Sequence, residues 1–563
     1  MANTQTRPNT TTTTTIDPNS GFNPHSRTFH SLRPNISLPP PSLPLSITEY
    51  TLSLIPPAAT AGVTTALIDV GADIRLSYSV LLRRIKSLSI SIQTLTPLKK
   101  GHVALILTPP SVHVPVLYLS LLSLGIVISP ANPLSSPAEL THLIQLVNPK
   151  IAFTTSKTAA KIPKLPFGTV LLDSPEFLSM LENNESGASE LERVEVSQSD
   201  PAAILFSSGT TGRVKGVLLT HRNLIALIGG FYQLKHMTAA QEESPEEENW
   251  SALVTVPVFH VFGFFMLIRG LASGETMVLM ERFDFEGMLR AVEKYKISYM
   301  PVSPPLVVAL TKSEVAKKYD LSSLQLLGSG GAPLGKEVVE SFNSKFPNVE
   351  IVEGYGLTES SGGAARMIGP DEAKRHGSVG RLAEHMEAKI VDPITGESLP
   401  PGHRGELWLR GPTIMKCYVG NEEATAQTLD SEGWLKTGDL CYFDSDGFLY
   451  IVDRLKELIK YKAYQVPPAE LENILHNHPE IADAAVIPYP DEEAGEIPMA
   501  FIVRKPGSNI NAAQVMEFVA KQVSPYKKIR RVSFVNSIPK SPAGKILRRQ
   551  LVDLALTSGS SKL

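Results

Sequence analysis

Between Phe206 and Val217 the chain reads FSSGTTGRVKGV. Gly209 and Gly212 free the backbone to turn its N–H groups inward, and Ser207, Ser208, Thr210 and Thr211 add hydroxyl donors. Lys215 supplies a positive charge. Donors and charge so arranged suit an oxyanion, a phosphate above all. The spacing from glycine to lysine is not that of GxxxxGK[ST], so the loop is a phosphate cradle of another design.

Four more motifs follow in order. They are EGYGLTES (Glu353 to Ser360), TGD (Thr437 to Asp439), DRLKELIKYKAYQ (Asp453 to Gln465) and PKSPAGKILRR (Pro539 to Arg549). With the opening loop they resemble the adenylate-forming superfamily of acyl-CoA synthetases and luciferases. Within it the chain is most similar to the plant 4-coumarate:CoA ligase-like proteins. The likeness spans about residues 45 to 552.

The resemblance implies a two-step reaction of a carboxylate with ATP and coenzyme A, helped by Mg²⁺. The opening loop, with Lys215, would hold the β- and γ-phosphates. Glu353 and Gly354 would be among the residues that bind ATP or AMP, and Tyr355 would stack on the adenine. Thr358 would meet the α-phosphate and Glu359 would hold Mg²⁺. Asp439 would accept from the ribose hydroxyls, with Arg454 beside it. Lys545 would bridge the carboxylate and the α-phosphate. Rotation about the hinge, including Lys456, would then replace Lys545 with Lys460 and Gln465 at the adenylate. Lys462 and Ala463 would line the coenzyme A tunnel, and Arg282 would meet its phosphates.

PVFHVFGFFM (Pro257 to Met266) carries substrate selection. By the same resemblance His260 stands by the substrate carboxylate. Two and six residues on, coumarate enzymes place tyrosine and serine, or similar polar groups. Here stand Phe262 and Met266, neither of which serves a phenol well. Gly362 and Gly363 replace Pro-Val, and with Gly331 they suggest a wider floor. The expected substrate is therefore an apolar carboxylate, a medium or long fatty acid or a jasmonate precursor. The alternative is 4-coumarate or cinnamate. A luciferase-like oxygenase and a non-catalytic adenylate binder are the readings of another class. Further departures are Arg213-Val214 for Leu-Pro, Ala463 for a glycine, and Trp408 for a cysteine.

These residues need elements to hold them. Short apolar runs such as HVALIL, IVISP and AAILFS alternate with amphipathic helical patterns from about Thr48 to Val452. That alternation reads as α/β with mostly parallel sheets, whose ligands bind beyond the carboxyl ends of the strands. The fold expected is a large N-terminal domain of packed mixed sheets with helices, then a small mobile C-terminal α+β domain. The boundaries expected are 1–45 disordered or extended, 46–452 adenylation domain, 453–456 hinge, 457–555 small domain and 556–563 flexible tail.

The 563 residues are 42% apolar and carry a net charge of −3, which gives no basic field for nucleic acid. Two cysteines, Cys417 and Cys441, give no disulfide framework and point to a reducing compartment. Val114 to Pro130 is the most apolar stretch. Prolines bracket it and Ser120, Ser123 and Gly125 interrupt it, so it reads as a buried helix running into a strand rather than a membrane span. The chain ends Ser561-Lys562-Leu563, a peroxisomal address read by an import receptor.

Overall fold

The computed structural model describes residues 16–182, 191–207, 214–239, 250–462, 464–542 and 544–559. Among them the strands form four sheets.

The first sheet runs, edge to edge, through Cys417–Tyr418, Lys215–Thr220, Pro201–Ser207, Val127–Pro130, Val103–Leu107, Ile151–Thr154 and Thr169–Leu171. Its inner strands pair in parallel, and Lys215–Thr220 folds back antiparallel on Pro201–Ser207. Ser207 and Lys215, the described ends of the expected phosphate loop, therefore stand opposite each other on two adjacent strands. The second sheet has nine strands, with a parallel core of Tyr299–Val302, Leu326–Ser329 and Glu350–Tyr355. The third is antiparallel and holds Glu387–Val391, Gly405–Arg410, Leu435–Phe443 and Leu449–Arg454.

One hydrophobic cluster joins these three sheets. Leu205 and Val217 come from the first, Leu67 and Ala252 from the second, and Ala388 and Leu407 from the third. The helix His113–Ser123 is buried almost throughout, as its even apolar coverage dictates, and leads to the strand Val127–Pro130. Among the described residues no helix is long and apolar enough to cross a membrane. A fourth sheet, of strands between Ile459 and Phe534, has its own core around Val486, Ala500 and Val515. A large N-terminal domain and a smaller C-terminal one result.

Three expected boundaries need correction. The segment 16–45 is not a free extension. Its strand Thr28–His30 pairs with Glu387–Val391, and Phe29, 1% exposed, stacks on Phe443. Arg33 grips Glu372 with two hydrogen bonds of 2.6 and 2.7 Å. Three residues of strand are too few to show a period of two in the sequence. At the other end, the helix Arg548–Gly559 takes up half of the expected flexible tail, and Ser561 to Leu563 lie outside the described residues. Between the domains, Asp453 and Arg454 end a strand, and the turn falls on 455–458.

Candidate active site

The two domains enclose a cavity of about 440 Å³. Glu353, Gly354 and Tyr355 reach it from one strand of the second sheet, and Gly331 from the turn that follows the neighbouring strand. Asp439 and Arg454 enter from paired strands of the third sheet, at one register position. Their carboxylate and guanidinium therefore meet side by side, Arg454 Nε lying 3.2 Å from Asp439 Oδ1. Tyr355 Oη donates to the other carboxylate oxygen at 2.5 Å. Burial pushes the Asp439 carboxyl above its ordinary range, against the pull of Arg454 and the Tyr355 hydroxyl. The Asp439 carboxyl is thereby held between Arg454 and Tyr355 in the cavity wall.

Lys545 closes the cavity from the small domain. It lies on a tight turn: Ser541 N–H donates to the Lys545 carbonyl at 2.8 Å, and Gly544 has φ +82. A Cβ on Gly544 would lie 3.3 Å from Ser303 Oγ, so the glycine lets the turn press against the large domain. Burial, then the nearby Arg454, holds the Lys545 ammonium below the usual lysine range. Arg548 braces the same corner, with contacts to Glu457 at 3.3 Å and Glu472 at 2.7 Å.

A second group lies at the phosphate-loop end. Lys215 Nζ sits 4.5 Å from the centre of the Tyr418 ring. Tyr418 Oη donates to Glu359 Oε1 at 2.8 Å. Thr358, 7% exposed, precedes Glu359 in a short 3₁₀ turn. Among the described residues the Ser207 hydroxyl is buried without a partner. Ser208, Gly209, Thr210 and Thr211 lie outside the described residues. Tyr418 was missed in the sequence because MKCYVG carries no motif. Pairing with Val217 in the first sheet is what brings it to Lys215.

The region expected to hold the acyl chain is packed. His260 caps the helix Val261–Ala272, its Nδ1 accepting from the Phe262 N–H at 3.4 Å. Burial pushes its imidazole down to about 4, so it is neutral at pH 7. The Phe262 ring lies beside Gly330, and Phe262, Phe265 and Phe231 form a run of ring contacts. The expected wide floor at Gly362 and Gly363 is corrected: side chains already fill it. A Cβ on Gly362 would lie 2.7 Å from the Phe265 ring, and one on Gly363 2.5 Å from Leu227 Cδ1. These glycines answer close packing and, at Gly362, φ +94. Met266 is buried, and Tyr299 Oη donates to its sulfur at 3.9 Å. A phenolic hydroxyl thus stands where sequence showed no polar group. The strand YMPV gave no hint of it, because the register of the second sheet decides which way Tyr299 faces.

Other expected residues stay away from the cavity. Lys460 and Gln465 face each other across the hairpin Ile459–Tyr461/Tyr464–Val466, and both are exposed. Lys462 is exposed beside Glu493 at 2.8 Å, and Ala463 lies outside the described residues. Lys456 is exposed on the interdomain turn, and Arg282 on a bend after the strand Thr276–Leu279.

The AMP-binding enzyme family model matches residues 57–419, and the AMP-binding enzyme C-terminal domain model matches 470–545. The chain is 62% identical over 512 residues to 4-coumarate–CoA ligase-like 9 of Arabidopsis thaliana, covering 90% of each chain. It is 47% identical to peroxisomal OPC-8:0-CoA ligase 1 of the same plant, covering 88% of this chain and 91% of the relative. ATP-bound MatB from Rhodopseudomonas palustris superposes with a TM-score of 0.79 at 26% identity, covering 91% of this chain and 99% of that one.

Proposed function

The chain belongs to the AMP-binding enzyme family and is an AMP-forming acid–thiol ligase, and from that premise we propose that its substrate is an apolar carboxylate activated in the interdomain cavity. The reading rests above all on the meeting of Tyr355, Asp439, Arg454 and Lys545 around one space. Tyr355 offers a face for the adenine ring, and Asp439 accepts from the ribose hydroxyls. In the first step a carboxylate oxygen attacks the α-phosphorus of ATP, and the bond to the β-phosphate oxygen breaks to release pyrophosphate. Lys545 holds the negative charge that gathers on the attacked phosphate and the entering carboxylate. Neutral His260 orients the carboxylate by a hydrogen bond rather than by charge. Ser207, Lys215, the loop hydroxyls and Thr358 bind the phosphates.

The residues present suit Mg²⁺. A single carboxylate, Glu359, with one oxygen taken by Tyr418 and one left over, matches an ion that keeps water and substrate phosphates as its other ligands. Bound there, Mg²⁺ would neutralise phosphate charge.

In the second step the coenzyme A thiolate attacks the acyl carbon, and the bond to the AMP oxygen breaks. For this the small domain turns about 455–458, Lys545 withdraws, and the Lys460–Gln465 hairpin takes its place. Lys462, Ala463 and Arg282 then meet coenzyme A.

The aromatic run of Phe262, Phe265 and Phe231 supports a fatty or jasmonate-precursor chain, as does likeness to a ligase named for OPC-8:0. The Tyr299 hydroxyl against Met266 favours a second reading, a cinnamate or coumarate substrate. A panel of carboxylates with purified protein, following coenzyme A-dependent AMP release, separates the two. Highest turnover on hydroxylated cinnamates would overturn the first. The terminal Ser-Lys-Leu supports a peroxisomal site reached through the import receptor. Removing it should move an N-terminally tagged fusion to the cytosol, and an unchanged punctate signal would overturn that address.

A further inference from the structure

The segment that carries Tyr418 is pinned to the Glu359 turn along its length. Met415 N–H donates to the Glu359 carbonyl at 2.8 Å, and Ser361 Oγ donates to the Thr413 carbonyl at 2.7 Å. Lys416 N–H reaches the Leu218 carbonyl at 2.9 Å, and Tyr418 pairs in register with Val217. The Tyr418 side chain is buried with Lys215 over its ring, so backbone and ring are both fixed. From there its hydroxyl donates to Glu359 Oε1 at 2.8 Å. Among the described residues no donor reaches Oε2 of this half-buried side chain. Nor is there, among them, a group of three or more His, Cys, Asp or Glu side chains that could hold a metal ion. A divalent cation arriving with ATP would meet this single carboxylate with one of its oxygens already taken.

We propose that Tyr418 makes the site select Mg²⁺ over Ca²⁺ by holding Glu359 to a one-oxygen ligand. This rests on the ligase reading, with Mg²⁺ at Glu359, and adds the residue that decides which cation ATP brings. Mg²⁺ demands near-octahedral geometry, keeps several waters and is served by one carboxylate oxygen. Ca²⁺ accepts more ligands and commonly takes both oxygens of a carboxylate. To take Ca²⁺ that way, Glu359 would have to give up the bond from Tyr418 to Oε1. The phenol donates one proton, and a hydrogen bond to a charged acceptor is stronger than one between neutral groups. Mg²⁺ bound through Oε2 leaves that bond in place. Tyr418 acts through Glu359 and is in that sense a positioning residue.

The test is ATP binding to the full chain by calorimetry, without carboxylate or coenzyme A, and with magnesium or calcium chloride in excess over ATP. The proteins compared are the native chain, Tyr418→Phe and Glu359→Gln. Phenylalanine keeps the ring under Lys215 and removes only the donor. The native protein should bind ATP more tightly with Mg²⁺ than with Ca²⁺. Tyr418→Phe should shrink that ratio of dissociation constants about tenfold, the worth of one hydrogen bond to a charged group, since Ca²⁺ no longer has to break it. The ratio is taken within one protein, so a loss of stability or of phosphate binding common to both metals cancels. Glu359→Gln keeps the size of the side chain, removes its charge, and should abolish most of the preference, which tests the site even if Tyr418→Phe fails to fold. An unchanged ratio in Tyr418→Phe, equal affinity with both metals in the native protein, or the native ratio in Glu359→Gln would overturn the inference. Any of these leaves the ligase reading standing, since that falls only if no carboxylate supports coenzyme A-dependent AMP release.

Discussion

The turn carrying Lys545 and the hairpin carrying Lys460 belong to one small domain and sit in opposite surroundings. The turn is wedged into the cavity against Ser303, and its lysine is half-buried near Arg454. On the hairpin Lys460 and Gln465 are exposed, and Lys460 is not among the described residues that line the cavity. A cation inside the cavity can stabilise charge on a phosphate there, and a cation on the outside cannot. On the proposed two-step path, this arrangement of domains therefore serves adenylation, and the thioester step needs another.

That contrast is sharpest at Lys545. Lys545→Ala should lower adenylation about 10²- to 10³-fold, the usual loss on removing one positioned charge-stabilising donor. Thioester formation from supplied acyl-adenylate should stay near native. Equal loss in both half-reactions would erase the distinction. The mirror experiment is Lys460→Ala, read as thioester formation from supplied adenylate. A loss of about ten- to a hundredfold is expected from one hydrogen bond to a charged group, with adenylation retained.

The cavity lysine also carries a pH signature. On the proposed path its protonated form is the active one, and desolvation, then Arg454, lowers the pH at which it is lost. Adenylation rate should thus fall with rising pH earlier than an ordinary lysine would dictate, and Lys545→Arg should push that fall upward because guanidinium stays charged. A fall that does not move in Lys545→Arg would assign it to another group.

Smaller effects test the walls that the two lysines serve in turn. Phe262→Tyr with Met266→Ser should raise the kcat/KM ratio of 4-coumarate to cinnamate several-fold, up to about tenfold per bond. An unchanged ratio would remove both residues from the acyl wall. Tyr355→Phe leaves the ring and deletes the donor to Asp439, so the KM for ATP should rise only a few-fold. A large loss would mean that this hydroxyl, rather than Arg454, is what holds the ribose acceptor in place.

Much of the proposed nucleotide side was legible before folding, because its residues sit in short sequence motifs. Tyr355, Asp439, Arg454 and Lys545 were named from such motifs, and the structure brings them to one cavity. The acyl side was read less well. Gly362 and Gly363 looked like open space, yet Phe265 and Leu227 occupy it, since an absent Cβ makes room only where no neighbour moves in. Substitution at Gly362 should strain the backbone at φ +94 rather than narrow a pocket. The segment 16–45 was misjudged because its anchors, Phe29 and Arg33, are single residues with partners some 340 to 410 positions away.

By itself the sequence determined the class of fold, the order of the two domains and the residue types proposed to handle a nucleotide. Alternating apolar periods and glycine-rich strand ends are local properties, and local properties survive without coordinates. Only the tertiary structure decided that Lys540 and Lys545 of the small domain line the cavity while Lys460 does not, and that Tyr418 links Lys215 to Glu359. Each of these depends on register between strands distant in the chain, or on what a neighbouring domain removes from water. Desolvation of a charge is set by everything packed around it, which no stretch of residues carries within itself.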